Sequence, residues 1–267
     1  MLRCNYILLR NTVLTCAITF AVATFASAAR DVTSVEFTKT RIGGVYINLV
    51  TVNLNDPHVR VTPAVAERGI GTCESFRSMM RRTRPAAAVN GTFFCTRTLA
   101  PTGDIVIDGQ LLAKGSVGTA IGIGPGNTVT FLPSRRADLY RWWDYEHVIS
   151  AGPALILRGQ TIVLPRDQGF VSRVHYSRRK RAAVGLTSSN KLLFVTTGHG
   201  VYLRELARVM RSLNCTDAAA LDGGSSTGLY WKGKLIVNPT RGMTNCLLVY
   251  DDLSSYENRR ASLYPGR

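Results

Sequence analysis

Clustered metal ligands are the first thing this 267-residue chain lacks, since it contains only four histidines and six cysteines. No two cysteines form a CxxC pair, and no histidines stand at the short spacings typical of tetrahedral zinc sites. The sequence therefore argues against a zinc centre, and we expect the protein to use no metal and no cofactor.

Acidic residues are scarce as well, with 17 aspartates and glutamates against 33 lysines and arginines, for a net charge of +16. Such an excess favours an anionic partner, for which a phosphorylated glycan, an acidic polysaccharide and a membrane surface are the open alternatives. Nucleic acid is also anionic, but the chain has no helix-turn-helix, zinc-finger or aromatic-basic RNA-binding signature. We therefore expect no nucleic-acid partner.

Long apolar runs are absent after the N-terminus, so we expect no stable membrane insertion. The N-terminus itself has the features of a secretory signal: Arg3 and Arg10, an apolar stretch over 12–25, and a small-residue pattern that ends at Ala28. That stretch is short for a membrane span, which needs about 20 residues. We predict cleavage after Ala28 or Ala29 and a secreted or periplasmic mature protein.

The remaining chain, 30–267, has the length of one domain, and we expect its ordered core to span about 45–250. Short alternating or small apolar segments between glycine, asparagine and proline turns predict many strands and hairpins. Helical spacing of apolar residues occurs at 75–82 and, most clearly, at 202–213. These patterns predict a single compact α+β domain of strand-rich mixed sheets with few helices, followed by a loosely ordered tail from residue 251. The strands and hairpins are predicted at 45–53, 59–65, 86–90, 105–112, 119–132, 154–157, 183–187, 192–197, 218–221, 229–237 and 247–250.

One segment, TDAAALDGGSSTGLY, organises the polar chemistry of the chain. Its apolar run leads to Asp222 and a turn of Gly223 and Gly224, after which comes the hydroxyl of Ser225. Glycine adopts backbone angles that a side chain would forbid, so this turn can hold a carboxylate at the rim of a sheet beside N–H groups that bind an anion. A tight turn capped by an aspartate, without further function, is the alternative.

Two further segments match this one in design. AAAVNGTFF ends a small apolar strand at Asn90 and Gly91, although Asn-Gly is also typical of a hairpin turn. NPTRGMTN presents Arg241 and Asn245 before the last predicted strand. We expect the three segments to meet.

Other polar residues stand at strand ends. Arg181 closes a basic run directly before the strand 183–187, and His199 lies between two glycines directly after the strand 192–197. The aromatic cluster at 141–145 is compatible with stacking on a sugar ring, while packing in the core or a loop is the alternative.

Together these motifs resemble the phosphodiester glycosidase family. The pieces that carry the resemblance follow the family's order and span roughly 45–250: AVNGTFF, ISAGPALI, RAAVGLT, TTGHG, ALDGGSSTGLY and NPTRGMTNCLLVY. The resemblance implies an exported hydrolase that cleaves the glycosidic bond of a sugar-1-phosphodiester, with a phosphorylated or anionic glycan as substrate.

Three positions depart from the family's pattern. Ala182 stands where threonine is frequent, Ser225 stands where a third glycine is frequent, and His199 lies where the family commonly has Asp-Gly-Arg. These departures leave the sugar and its aglycone open. The departures at Ala182 and His199 also favour the alternative function, a non-catalytic envelope protein that binds anionic or phosphorylated polysaccharide.

The implied reaction releases a phosphate monoester, which is a weak base, so a strong general acid is dispensable. The site then needs a carboxylate at the sugar and cationic donors around the phosphate. The predicted catalytic residues are Asp222, Arg181, Arg241 and His199. The predicted substrate-binding residues are Asn90, Gly91, Gly223, Gly224, Ser225 and Asn245.

Structural alternatives exist for several of these roles. Arg241 could pair with Asp222, and His199 could be a simple turn residue. A serine nucleophile at 225 or 226 lacks a visible His–Asp relay. Three reserve acids remain: Asp104, Asp108 and Asp217.

The cysteines outside the signal are Cys73, Cys95, Cys215 and Cys246, an even number that allows three pairings in an exported chain. We favour Cys73–Cys95 and Cys215–Cys246, because each pair brackets segments that are expected to meet at Asp222. Free buried thiols are the alternative.

Overall fold

Antiparallel pairing of short apolar segments builds the fold, which the computed structural model describes over residues 33–133 and 142–265. The predicted signal peptide, 1–29, lies outside the described residues. The strands are β1 Val35–Ile42, β2 Val45–Asn53, β3 Arg60–Val65, β4 Ala87–Asn90, β5 Ile105–Ile107, β6 Gln110–Ala113, β7 Thr119–Ile123, β8 Val129–Pro133, β9 His147–Ala151, β10 Ala154–Leu157, β11 Gln160–Thr161, β12 Ala182–Thr187, β13 Lys191–Thr197, β14 Cys215–Leu221, β15 Leu229–Trp231, β16 Lys234–Val237 and β17 Asn245–Tyr250. The helices are α1 Phe76–Thr83, α2 Leu203–Ser212 and α3 Leu253–Leu263.

The strands form three sheets. Sheet A has the order β1-β2-β13-β12-β14-β10-β11, sheet B has the order β16-β15-β4-β17-β3, and sheet C has the order β6-β5-β9-β7-β8. Every pairing between these strands is antiparallel. The predicted α+β class is confirmed, since strands dominate and helices are few.

The layers follow from which face of each strand is apolar. Val184 of sheet A, Leu247 of sheet B and Ile149 of sheet C belong to one central core cluster, so sheet A packs face to face with the other two sheets. On the other face of sheet A, α2 packs through Leu206 and Met210. Helices α1 and α3 cover the outer face of sheet B. No helix in the described ranges is both long and apolar enough to cross a membrane.

Helix boundaries follow local chemistry. Ser75 begins α1, because its side chain accepts a hydrogen bond from the N–H of Ser78 at 3.1 Å. At the start of α2, Glu205 Oε2 accepts from the N–H of Tyr202 at 2.8 Å. Both helices lie within a residue of their predicted bounds at each end.

The C-terminal segment corrects the prediction of a loosely ordered tail. Asp252 caps α3 by accepting from the N–H of Ser255 at 2.8 Å, and the helix buries Tyr256 and Leu263. The ordered core is also wider than 45–250 at its start, because β1 begins at Val35 and pairs along its whole length with β2.

Neither predicted disulfide is present, and all four described cysteines are free thiols. Cys215 belongs to the core cluster between sheet A and α2, whereas Cys246 belongs to the cluster on the outer face of sheet B. The favoured Cys215–Cys246 pair is therefore wrong because the two thiols lie in different layers of the sandwich. Cys73 is exposed and Cys95 is half-buried, and they are not bonded to each other.

Candidate active site

The ends of strands from two sheets meet at one place. In sheet A, β14 ends directly before Asp222 and the adjacent β12 begins directly after Arg181. In sheet B, β4 ends at Asn90 and its neighbour β17 begins at Asn245. The N–H of Asp222 donates to the carbonyl of Gly91 at 3.2 Å. We call this junction of sheets A and B the seam.

Asn90 is a fully buried residue of the seam. Its Nδ2 donates to the carbonyl of Asp222 at 2.7 Å, and its Oδ1 accepts from the N–H of Gly228 at 3.1 Å. The amide therefore binds backbone groups and fixes the position of Asp222.

Gly91 and Asn245 close the seam from the side of sheet B. Asn245 Oδ1 accepts from the N–H of Thr92 at 2.8 Å, and the backbone N–H of Gly91 donates to the carbonyl of Asn245 at 3.2 Å. A Cβ atom on Gly91 would collide with Oδ1 of Asn245. The position requires glycine because the side-chain amide of Asn245 occupies the space that a Cβ atom would need.

A cleft of about 460 Å³ opens over the seam. Its lining contains a single acidic residue, Asp222, and three arginines, Arg179, Arg181 and Arg241. Gly223, Gly224 and Ser225 line it too, as do side chains from two loops: Phe93, Phe94, Cys95, Thr96, Ser172, Val174 and His175. The structure thus brings most of the predicted catalytic residues to one cleft, while Asn90, Gly91 and Asn245 support it from behind.

Opposed effects act on the half-buried carboxyl of Asp222. Burial raises its pKa, whereas the hydroxyl of Ser226, the N–H of Gly223 and the charge of Arg241 act to lower it. The N–H of Gly223 lies 2.9 Å from Oδ1. Burial has the largest effect, so the pKa of Asp222 lies above the ordinary range of an aspartate.

The glycine turn is occupied by the protein's own groups. The N–H of Gly223 donates to Asp222, and the N–H of Gly224 donates to the carbonyl of Lys180 at 2.8 Å. Gly224 has a φ of +63°, which explains the glycine. These N–H groups therefore hold Asp222 and the start of β12 in place.

Arg181 is a buried cation at the cleft wall, with 4% of its surface exposed. Its Nε donates to the carbonyl of Val201 at 3.2 Å, and its Nη2 donates to the carbonyls of Val174 and Ser177 at 3.2 and 2.6 Å. Burial and the nearby charge of Arg179 lower its pKa to about 10, so it remains charged at neutral pH. Within the described ranges Nη1 has no hydrogen-bond partner, which leaves its N–H groups for a ligand.

Arg241 is placed by an aromatic ring. Its Cζ lies 4.4 Å from the ring centroid of Phe94, a cation–π distance. No ion pair joins it to Asp222, although its charge acts on the pKa of that carboxyl. The guanidinium is therefore held over the cleft by stacking.

His175 is a cleft residue that the sequence did not single out. Its ring lies 4.9 Å from that of Phe170 and 5.2 Å from that of Phe93, and its Nδ1 has no partner in the described part of the chain. Burial, then the charge of Arg181, lowers its pKa to about 4, so the imidazole is neutral at pH 7. Loops at 93–96 and 172–179 supply it and its neighbours, and such loops show no periodicity that would identify them.

His199 lies outside the cleft lining. Its ring stands edge-on to that of Tyr46 at 6.3 Å, and its carbonyl accepts from the hydroxyl of Thr197 at 2.8 Å. The sequence prediction of a catalytic role for it remains a prediction.

The reserve acids also lie away from the cleft lining. Asp104 accepts from Trp142 Nε1 at 2.9 Å, which places that member of the aromatic cluster in a packing contact. Asp108 pairs with Arg260 at 3.0 Å. Asp217 accepts from a backbone N–H at 2.9 Å.

Solved structures of other proteins share this fold. A hypothetical protein from Synechocystis matches with a TM-score of 0.69 and 17% identity, over 80% of this chain and 61% of that longer one. The catalytic domain of zebrafish N-acetylglucosamine-1-phosphodiester alpha-N-acetylglucosaminidase, solved as a form auto-inhibited by its pro-peptide, matches with a TM-score of 0.67 and 20% identity, over 83% and 85% of the two chains. At such identities the likeness concerns the fold.

Sequence comparison gives the family. A search of curated proteins returns no significant match to the sequence. The profile of the phosphodiester glycosidase family matches residues 83–250, which is well over half of the chain and contains Asp222, Arg181, Arg241 and the whole seam. This chain belongs to the phosphodiester glycosidase family.

Proposed function

We propose that the protein is an exported glycosidase that hydrolyses the bond between a sugar and the phosphate of a sugar-1-phosphodiester. The observation that carries this proposal is the charge of the cleft, whose described lining holds one carboxylate and three arginines. A glycosidase with an ordinary leaving group needs a second carboxyl group as acid. A phosphate leaving group needs cations instead, and the cleft supplies them.

The reaction follows from this placement. Water adds to the anomeric carbon, the bond from that carbon to the phosphate oxygen breaks, and the phosphate departs as a monoester that takes up the proton lost by the water. Asp222 acts at the sugar, where positive charge develops in the transition state. Arg181 and Arg241 bind the phosphate, because both are charged and line the cleft on which Asp222 opens. The neutral ring of His175 adds a hydrogen-bonding group at the wall.

The test is turnover of methyl phosphodiesters of a panel of hexose 1-phosphates, with aryl glycosides of the same sugars as uncharged comparators. Asp222→Asn should abolish turnover and keep binding, because the amide preserves shape and loses charge. Arg241→Ala should reduce kcat/KM for the phosphodiesters by about 10- to 150-fold, the worth of a charge-assisted contact of about 1.5–3 kcal/mol.

Arg208→Ala is the matched control, since it removes an exposed arginine from α2. Arg208→Ala should leave kcat/KM unchanged for both substrate classes. Equal losses on charged and uncharged substrates in Arg241→Ala would assign the phosphate to another place. Tight binding of the phosphodiesters by the wild-type protein without any turnover would instead favour the non-catalytic polysaccharide-binding function.

A further inference from the structure

The ends of four neighbouring strands form a row that extends from the cleft along one end of sheet A. The register pairs Ala182 with Leu221 and with Thr196, and Thr196 with Asn48. The strand ends beside Asp222 and Tyr46 therefore lie at the same end of the sheet, on β14 and β2. Three strand spacings separate these two strands, or about 14 Å.

A second cavity, of about 350 Å³, lies at the far end of this row, and we call it the outer pocket. Its lining consists of Lys39, Thr40, Arg41, Tyr46, Ile47, Asn48 and Gly198. Two cations and no carboxylate are among these described residues, so the outer pocket favours an anion.

The outer pocket is organised around an exposed aromatic ring. Tyr46 is 58% exposed, although it belongs to a strand. Arg41 lies with Cζ 5.1 Å from the ring centroid, which orients its guanidinium at the pocket. A tyrosine ring beside a fixed cation is suited to a sugar that carries a negative group.

One segment connects the outer pocket with the cleft. The N–H of Gly198 donates to the carbonyl of Tyr46 at 2.8 Å, and the ring of His199 stands against that of Tyr46. Two residues later, Val201 exchanges backbone hydrogen bonds of 3.2 and 2.9 Å with Arg179, which lines the cleft. The backbone segment 198–201 therefore connects a residue of the outer pocket with a residue of the cleft, and His199 lies on this segment.

We propose that the outer pocket is a subsite for an anionic unit of a polymeric glycan whose scissile phosphodiester lies at Asp222. The proposal rests on the proposed function and names its substrate class, a chain with repeated phosphate or carboxylate groups. The two strands that carry Asp222 and the outer pocket are about 14 Å apart. A small sugar phosphodiester is too short to occupy both places at once. A chain of several units spans this distance, and the segment 198–201 lies along the way from one cavity to the other.

The first experiment measures binding without turnover. Phosphomannan and the same mannan after removal of its phosphate are titrated against Asp222→Asn protein, with and without Lys39→Ala/Arg41→Ala. The double change should weaken binding of phosphomannan about tenfold or more and leave that of the neutral mannan unchanged, an effect that should shrink as salt is raised. Arg77→Ala/Arg81→Ala on α1 is the control with the same loss of charge, and it should bind phosphomannan as the parent does.

Equal weakening by both double variants would overturn the proposal, because charge alone would then explain binding. Competition by a single-stranded oligonucleotide or by anionic vesicles as strong as that by phosphomannan would overturn it too.

The second experiment separates this subsite from the catalytic proposal. In protein that retains Asp222, Lys39→Ala/Arg41→Ala should leave kcat/KM for methyl phosphodiesters unchanged and raise KM for the polymer. A loss of turnover on both substrates would contradict the assignment of the outer pocket as a subsite separate from the cleft. Absence of turnover by the wild-type protein would refute the catalytic function, while the binding difference would still decide the subsite.

Discussion

At the scale of single residues, Asp222 is where the requirements of folding and of the proposed chemistry conflict. Burial raises its pKa more than Ser226, Gly223 and Arg241 lower it, so the folded protein binds this proton more tightly than the unfolded chain does. Between the two pKa values the native state holds more protons, and its stability falls as pH rises. Above the pKa of Asp222 in the folded protein, the buried carboxylate is ionised and its full destabilising effect on the native state is present.

We therefore expect Asp222→Asn to be more stable than the wild-type protein at pH 8, with a difference that disappears toward the unfolded pKa near 3.9. Urea unfolding at several pH values measures it. Asp217→Asn, which removes a carboxyl that accepts from a backbone N–H away from the cleft, is the comparison variant. A constant difference between Asp222→Asn and wild type across the range would contradict the raised pKa.

Cys95 allows a second measurement at this scale. Hydrogen bonds from the side chain and backbone of Thr98 lower its pKa to about 7, while burial raises the pKa of Cys215 to about 12 and also raises that of Cys246. In native protein at pH 7.5, iodoacetamide should modify Cys95 while the two buried thiols stay protected.

Because Cys95 lines the cleft, its modification should also slow turnover. Cys95→Ser should be active and should keep its activity after treatment with iodoacetamide. Cys73→Ser should be active before treatment and should lose activity on treatment as the wild-type protein does. Peptide mapping identifies the modified thiols. Labelling of Cys215 in the native state would show that the layer between sheet A and α2 is open.

At the scale of elements, α3 shows how a helix can be essential to packing and still hard to recognise. Tyr256 and Leu263 are its two buried residues, and the ring of Tyr256 stands edge-on to that of Tyr250 of β17, with the centroids 5.7 Å apart. Seven positions separate Tyr256 from Leu263 and no buried residue lies between them, so the helix has no continuous apolar stripe.

Leu263→Ala should cost about 2–5 kcal/mol in the free energy of unfolding, the range for a buried leucine, because it opens a cavity under α3. Asn258→Ala, at an exposed position of the same helix, is the control. Chemical denaturation measures both. Turnover at low temperature should be unchanged, since α3 contributes nothing to the cleft lining. A cost below about 1 kcal/mol would mean that the tail is only loosely docked.

Elements with a strong local pattern could be predicted from the sequence. The alternation over 45–53 gives the bounds of β2, and the spacing over 202–213 gives α2 within a residue at each end. Asp222 could be singled out because a buried strand that ends in Asp-Gly-Gly has few simple explanations. His175 could not, since its place between Phe93 and Phe170 depends on how two loops pack.

The disulfides show a different limit of sequence. An even number of cysteines says nothing about the layer in which each one lies, and Cys215 and Cys246 belong to opposite outer faces of the sandwich. Their separation is a property of sheet order, which no local pattern encodes.

At the scale of the whole molecule, the fold places the candidate site at the boundary between two sheets. Helix α2 packs on the outer face of sheet A, and helices α1 and α3 pack on the outer face of sheet B. The cleft lies where the ends of the two sheets are hydrogen-bonded to each other through Asp222 and Gly91. Each sheet supplies a part of the candidate site.

The seam also determines when in the life of the chain the site can exist. The bond from Asn90 to Asp222 spans 132 residues, and that from Thr92 to Asn245 spans 153. Contacts of such long range form late in folding, because the ends of a long loop must first be brought together. Synthesis proceeds from the N-terminus, so β17 is the last of the described strands to become available. A nascent chain that already contains Asp222 but not yet β17 therefore lacks the contact of Asn245 that supports the cleft.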